Sequence, residues 1–221
     1  MRHPKRMRGA KLVAAAAALL ALAGCGHAPG SAFSVGDHAV SRSSVDQIVN
    51  AACGVQQQTK SARATQVWAF VNAMLTATVQ NDYGDHVGAS YSRSTLQSEL
   101  SQYQGSVDAL PAKDRAAVTS FLREQIRGSL IVQSVGTQVL ADKGVSKPTT
   151  AEVTNAGDAA AQKWARQQGI TIDPRYNAKD YEAGAGDSSI STPVSSYAKA
   201  AQKGSTKSSY LSQLPSTQLC G

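Results

Sequence analysis

Three cysteines, at positions 25, 53 and 220, and a short cluster of Asp82, Asp85 and His86 are the residues of this 221-residue chain whose types and spacing could do chemistry. A thiol can take a lipid, close a disulfide, hold a metal or act as a nucleophile, and its surroundings decide which. The Asp82, Asp85 and His86 cluster has the groups for acid–base work or cation binding, but Gly84 sits inside it, and such a stretch reads more readily as a solvated, helix-ending turn. The other histidines, at 3, 27 and 38, have no neighbour at a ligand spacing. No G-x-S-x-G, H-E-x-x-H, C-x-x-C or phosphate-loop pattern occurs. The expectation is a protein with no catalytic residue, no metal and no cofactor, one that works by binding.

Cys25 is explained by what precedes it. Arg2, Lys5, Arg6, Arg8 and Lys11 lead into an apolar run from Leu12 to Ala23, the layout of a secretory signal. The run is shorter than the roughly 20 apolar residues a membrane span needs. Leu22-Ala23-Gly24-Cys25 resembles the lipobox of bacterial lipoproteins, in which the thiol receives a diacylglyceryl group before the chain is cut on its N-terminal side. Ala21-Leu22-Ala23 also fits an ordinary small-x-small cleavage site, which would release a soluble chain starting at Gly24. The lipid reading is preferred because a cysteine stands at the position the modification needs. Residues 1–24 are then a signal peptide, and the working protein starts at a lipid-bearing Cys25 on the extracytoplasmic face of a bacterial membrane.

Removing that segment changes the charge argument. The formal charge of +7 comes from 22 basic and 15 acidic residues, and five of the basic ones lie in the signal, leaving 17 against 15. A nucleic-acid or polyanion partner is therefore not implied. The 197 residues from 25 onward suffice for one core of ordinary size. Cys53 and Cys220 form an even pair in an exported chain and are disulfide candidates. Equally, Cys53 could be a buried core thiol and Cys220 a free thiol near the chain end.

The elements follow from periodicity and punctuation. Residues 25–31 read as a small, polar tether. Ala32 to Val35 and His38 to Val40 flank Gly36-Asp37 as two short extended pieces that need a further partner. A helix should begin near Ser41 or Ser43, with Ser43 and Asp46 at capping-box spacing and Ser41 as a competing cap. Val45, Ile48, Val49, Ala52 and Cys53 then form one apolar face. A second helix carries Val67, Phe70, Val71, Met74, Leu75 and Thr78, broken by Asn81 to Asp85. A polar, weakly striped helical stretch runs from Ser92 through Gly105 to Leu110-Pro111. The longest helix, about 112–142, has an apolar band too wide for one neighbour, and Gly144 stops it. Thr149 and Glu152 occupy capping-box positions for a further helix ending at Gly169. Ile170-Thr171-Ile172 reads as a brief strand and Asp173 to Asn177 as a turn. From about Ala183 the chain is rich in Gly, Ser, Thr, Ala and Lys, the composition of a loose tail unless Cys220 pins it. Trp68 and Trp164 read as residues at the edge of the core.

This order of elements resembles the N-terminal domain of SurA-type periplasmic chaperones and their lipoprotein relatives. Val35-Gly36-Asp37-His38-Ala39-Val40-Ser41 stands where that family has V-N-G-x-x-I-[ST], without the Asn and with the Gly shifted by one. Gly169-Ile170 followed by Asp173-Pro174-Arg175-Tyr176-Asn177 stands where lipoprotein members have a strand and N-P-R-[YF]-G. The likeness spans 32–177, leaving 178–221 as a polar tail. It implies a mainly α fold in which the strand at 170–172 joins the hairpin, giving a small two- or three-stranded sheet that ties the two ends of the domain together. It also implies that Arg175 either reaches an acidic group or sits solvated in the turn. The 45 residues after Tyr176 are too few and too polar for the family's isomerase domain.

The function expected is a membrane-anchored holdase-like chaperone without isomerase activity, its partners being the membrane, through the lipid, and unfolded or newly exported polypeptides. The alternative is a cell-envelope accessory lipoprotein holding one folded partner. A two-lobed solute-binding lipoprotein is disfavoured, because the chain lacks the alternating strand–helix pattern of such lobes.

Overall fold

A computed structural model of the chain describes residues 30–55, 60–176 and 208–221. The segment expected to be a signal, Cys25 and most of the expected tether lie outside these residues, as does 177–207. The fold is mainly helical with two small antiparallel sheets.

Strand β1, Ser31–Val35, turns at Gly36, whose φ of 54° suits glycine, into β2, His38–Ser41. On its other side β1 pairs with β4, Ile170–Ile172, in the order β2-β1-β4, with Phe33 opposite both Val40 and Ile172. The third strand that the hairpin needs therefore comes from the far end of the domain. Phe33 and Ala32 are completely buried, and Asp173 N–H donates to the Ala32 carbonyl at 2.8 Å.

Helix α1, Arg42–Val55, follows β2 without a break, and the cap is Ser41: its Oγ accepts from Ser44 N–H at 3.1 Å. The alternative box of Ser43 and Asp46 does not form, because the strand runs straight into the helix and puts Ser43 already inside the first turn. Asp46 lies instead 3.8 Å from Arg63. Val45, Ile48 and Val49 are buried, as their spacing predicts.

After β3, Ser61–Ala62, helix α2 spans Arg63–Val87 and does not stop at the Asn81–Asp85 stretch. The reason is tertiary. Gly84 is where α2 passes under the long helix, since a Cβ there would lie 2.6 Å from Ile131 Cγ2, and Asn81 is buried and bonded to Glu124. The helix ends one turn later at Gly88, φ 65°, where Ala89 N–H donates to the Gly84 carbonyl at 2.8 Å.

Helix α3, Arg93–Ser101, is capped by Ser92, and α4, Gln104–Asp108, is a single short turn of helix. The long helix α5, Ala112–Asp142, packs chiefly on α6, Thr150–Gln168, and on α2, which explains its wide apolar band. Thr149 and Glu152 form the full capping box at the start of α6. The 3-10 turn Pro174–Tyr176 then buries Tyr176 in the main core with Phe33, Val45, Leu75 and Ala165.

The last fourteen residues described, 208–221, are not loose. Helix α7, Ser208–Leu211, leads through a 3-10 turn at Ser216–Gln218 to β5, Leu219–Cys220, which pairs with β3. Leu211 and Leu214 cover Ala62 in a second small core, and Cys220 is bonded to Cys53. Of the two cysteine readings, the structure has the disulfide. No described helix is long and apolar enough to cross a membrane.

Candidate functional site

Two adjoining cavities open where α1, α2 and α5 meet. The first, about 450 Å³, is walled by Ile48, Ala52 and Val55 of α1, Phe70 of α2, and Val118 and Leu122 of α5, with Val107 and Leu110 closing one end. Local sequence builds that end. Helix α4 stops after five residues and Pro111 starts α5, so the apolar pair Val107 and Leu110 is turned inward and buried, at 5% and 6% exposure. Phe70 and Phe121 meet edge to face, ring centroids 5.6 Å apart. At the rim, Val55 and Tyr103 are 53% and 46% exposed.

The second cavity, about 620 Å³, lies beyond Ile48 and Phe121, which line both, and is bounded by β2, α1, α2 and α5. Its walls are mixed. His38 Nδ1 lies 3.0 Å from the Asp82 carboxylate, and the Asp85 carboxylate is in a close ion pair with Arg127. Burial opposes the Arg127 charge, but hydrogen bonds to Asp85 and Tyr91 outweigh it and raise its pKa above the ordinary arginine value. Asn81, 4% exposed, donates from Nδ2 to the Glu124 carbonyl at 3.1 Å and to its carboxylate at 2.9 Å. The Asn81 Oδ1 atom has no hydrogen-bond partner among the described residues.

The residues singled out from sequence are distributed differently. Asp82, Asp85 and His86 do not share a loop. They lie in the last turns of α2 and face separate partners, Asp82 toward His38, Asp85 toward Arg127, and His86 beside the Trp164 ring at 5.7 Å. Among the described residues no group of three or more metal-ligating side chains converges. Asp173 is buried and serves its own turn: its carboxylate accepts from Arg175 N–H at 3.0 Å and lies 3.7 Å from Arg42. Arg175 is 70% exposed and only 3.8 Å from Asp173 at its nearest, so it is chiefly a solvated turn residue, while Pro174 is exposed. Tyr176 has its hydroxyl pKa raised, first by burial and then by the charges of Asp46 and Asp173. Asp173 and Tyr176 hold the sheet's junction together, and none of the four lines either cavity. Cys53 and Cys220 are structural. Cys25, the lipid candidate, lies outside the described residues.

The cavity residues that sequence reading missed are Asn81, Glu124, Arg127 and Val107. Glu124 and Arg127 stand one turn apart in the run Arg123-Glu124-Gln125-Ile126-Arg127, which reads as a solvated face, and Val107 lies in a polar stretch, so none of them signals a site. Among the described residues His38 is hydrogen-bonded to Asp82 and to no serine of the cavity, and what the arrangement offers is apolar surface beside a set of carboxylates. No family model, curated protein or solved structure matches the chain.

Proposed function

We propose that this protein is a membrane-anchored extracytoplasmic lipoprotein that binds unfolded exported chains as a holdase, without chemistry. The observation that carries the reading is the apolar cavity walled by Ile48, Phe70, Val107 and Leu122, left open at Val55 and Tyr103 in a chain that begins with an export signal and a lipobox-like Leu22-Ala23-Gly24-Cys25. Seating one leucine- or phenylalanine-sized side chain there is worth roughly 1.5–3 kcal/mol. One such contact is weaker than millimolar binding, so holding a client takes further contacts along its chain, and release for folding is easy.

The test uses the full chain in lipid nanodiscs with an unfolded secreted client. The protein should slow client aggregation in proportion to its concentration, and Leu122→Glu, which places a charge in the cavity wall, should abolish the effect while helix content is retained. No protection at several-fold molar excess of the correctly folded wild type would overturn the proposal. Photocrosslinking in cells from Val55 should capture many species; a single dominant adduct would favour the accessory-lipoprotein reading instead.

A further inference from the structure

The mixed cavity beside the apolar one is the remaining feature with no structural task. Its walls carry three carboxylates, Asp82, Asp85 and Glu124, against one guanidinium, Arg127, and the imidazole of His38, so its charge is negative whether or not His38 is protonated. Asp85 is neutralised by Arg127. The Glu124 carboxylate meets only the neutral Asn81 amide and forms no ion pair among the described residues, and Asp82 reaches no cation other than His38. A buried carbonyl oxygen, Asn81 Oδ1, is left without a donor in the same wall. One carboxylate without an ion pair, a second held only by an imidazole, and an unpartnered acceptor in the same wall favour an incoming group that is cationic and rich in N–H donors.

The border of the cavity specifies the form in which that group arrives. All four residues of β2 line it, and β2 is an edge strand of its sheet. An unpaired strand edge takes an extended chain by backbone hydrogen bonding. Alternate side chains of such a chain point to the same side, and Ile48 and Phe121 are shared with the apolar cavity. A chain running past β2 can therefore offer one side chain to each cavity.

Resting on the holdase reading, we infer that the preferred client segment is an extended stretch carrying a lysine or arginine close to a large apolar residue. The cation enters between Asp82 and Glu124, and the apolar side chain enters between Phe70 and Leu122. Charge complementarity selects the segment, and the apolar cavity holds it.

Three fluorescent peptides of repeating Leu-Ser-X-Ser, in which leucine and X (lysine, glutamine or glutamate) stand two positions apart and so share a face, are titrated onto the full chain in nanodiscs of uncharged lipid at low salt. The lysine peptide should bind about tenfold more tightly than the glutamate peptide, a ratio that collapses with added salt. Replacing both carboxylates, Asp82→Asn with Glu124→Gln, should bring the ratio close to one with helix content retained, and a ratio that stays near tenfold in this variant would overturn the placement of the cation. N-methylation of alternate peptide bonds in the lysine peptide should abolish strand addition and most of the binding. Equal affinity for the three unmodified peptides would overturn the inference and leave the holdase reading standing. Undiminished binding of the N-methylated peptide would overturn the placement along β2. Failure of all of them to bind would overturn both.

Discussion

Gly136 of α5 and Gly157 of α6 lie back to back where the two helices cross: a Cβ on Gly136 would come within 3.0 Å of the Gly157 nitrogen and 1.9 Å of the Val153 carbonyl oxygen, and a Cβ on Gly157 within 2.1 Å of the Val132 carbonyl oxygen. The obstacles are backbone atoms, so no rotamer change relieves them. On helix propensity alone, Gly→Ala should stabilise by roughly 1 kcal/mol. Here the sign should reverse. Gly136→Ala and Gly157→Ala should each cost about 3 kcal/mol by forcing the helices apart, whereas Gly105→Ala in α4, whose Cβ would meet nothing within 4 Å, should gain about 0.5–1 kcal/mol. Denaturant midpoints of the three variants check this, and a gain at Gly136 or Gly157 would show that the helices are not in this contact.

The Cys53–Cys220 disulfide spans 167 positions. In the loop-entropy account a link of that length is worth about 5 kcal/mol. Cys53→Ser with Cys220→Ser should lower the thermal midpoint sharply and make residues 208–221 sensitive to protease, since β5 and the small core around Ala62 hold little apolar surface of their own. Mass spectrometry of limited digests, with and without a phosphine reductant, reads the second effect directly. Identical digestion patterns would contradict the pinning.

The capping box at the head of α6 predicts a pH dependence. Glu152 has its pKa lowered by hydrogen bonds from the Thr149 backbone and hydroxyl. A carboxylate whose folded pKa is depressed adds stability above its unfolded pKa and loses it as pH falls through the folded value. Wild type and Glu152→Gln should therefore differ at about pH 7 and converge at about pH 3. Thr149→Ala should cost about 1 kcal/mol, the usual effect of losing a threonine cap. Urea unfolding at the two pH values separates the charge contribution from the hydrogen bond.

Cys25→Ser tests the proposed anchor. The variant should leave the membrane fraction, or accumulate with its signal uncut, and the wild-type N-terminal peptide should carry the mass of a diacylglyceryl thioether. A wild-type chain starting at Gly24 with a free thiol would instead support ordinary signal cleavage.

Phe33 is completely buried at the centre of the three-stranded sheet, opposite both Val40 and Ile172. Phe33→Ala should cost about 3–5 kcal/mol. Because this one side chain joins the two ends of the domain, hydrogen exchange should accelerate together in β1, β2 and β4. Protection lost in one strand only would argue against a shared sheet.

What could be read from sequence was local. Ser92, Thr149, Gly144 and Gly169 mark helix ends because capping acts over one turn, and the apolar spacing of Val45, Ile48 and Val49 or of the 112–142 helix records which face is buried. The three-stranded sheet was legible only through the order of the elements. Where distant segments decided the outcome, the letters misled. Gly84 looks like a helix breaker and is a contact point for Ile131, so α2 runs past it and carries Asp82 and Asp85 to different partners. The pairing of Cys53 with Cys220 and the fit of Gly136 against Gly157 depend on where chain segments far apart in sequence come to lie. So do both cavities, because a cavity is space left between elements, and no single helix encodes it. The helices and their caps follow from interactions within a few residues, which is why the letters alone were enough to find them. The tertiary structure alone decided which side chains face one another, because those contacts exist only once the helices have packed.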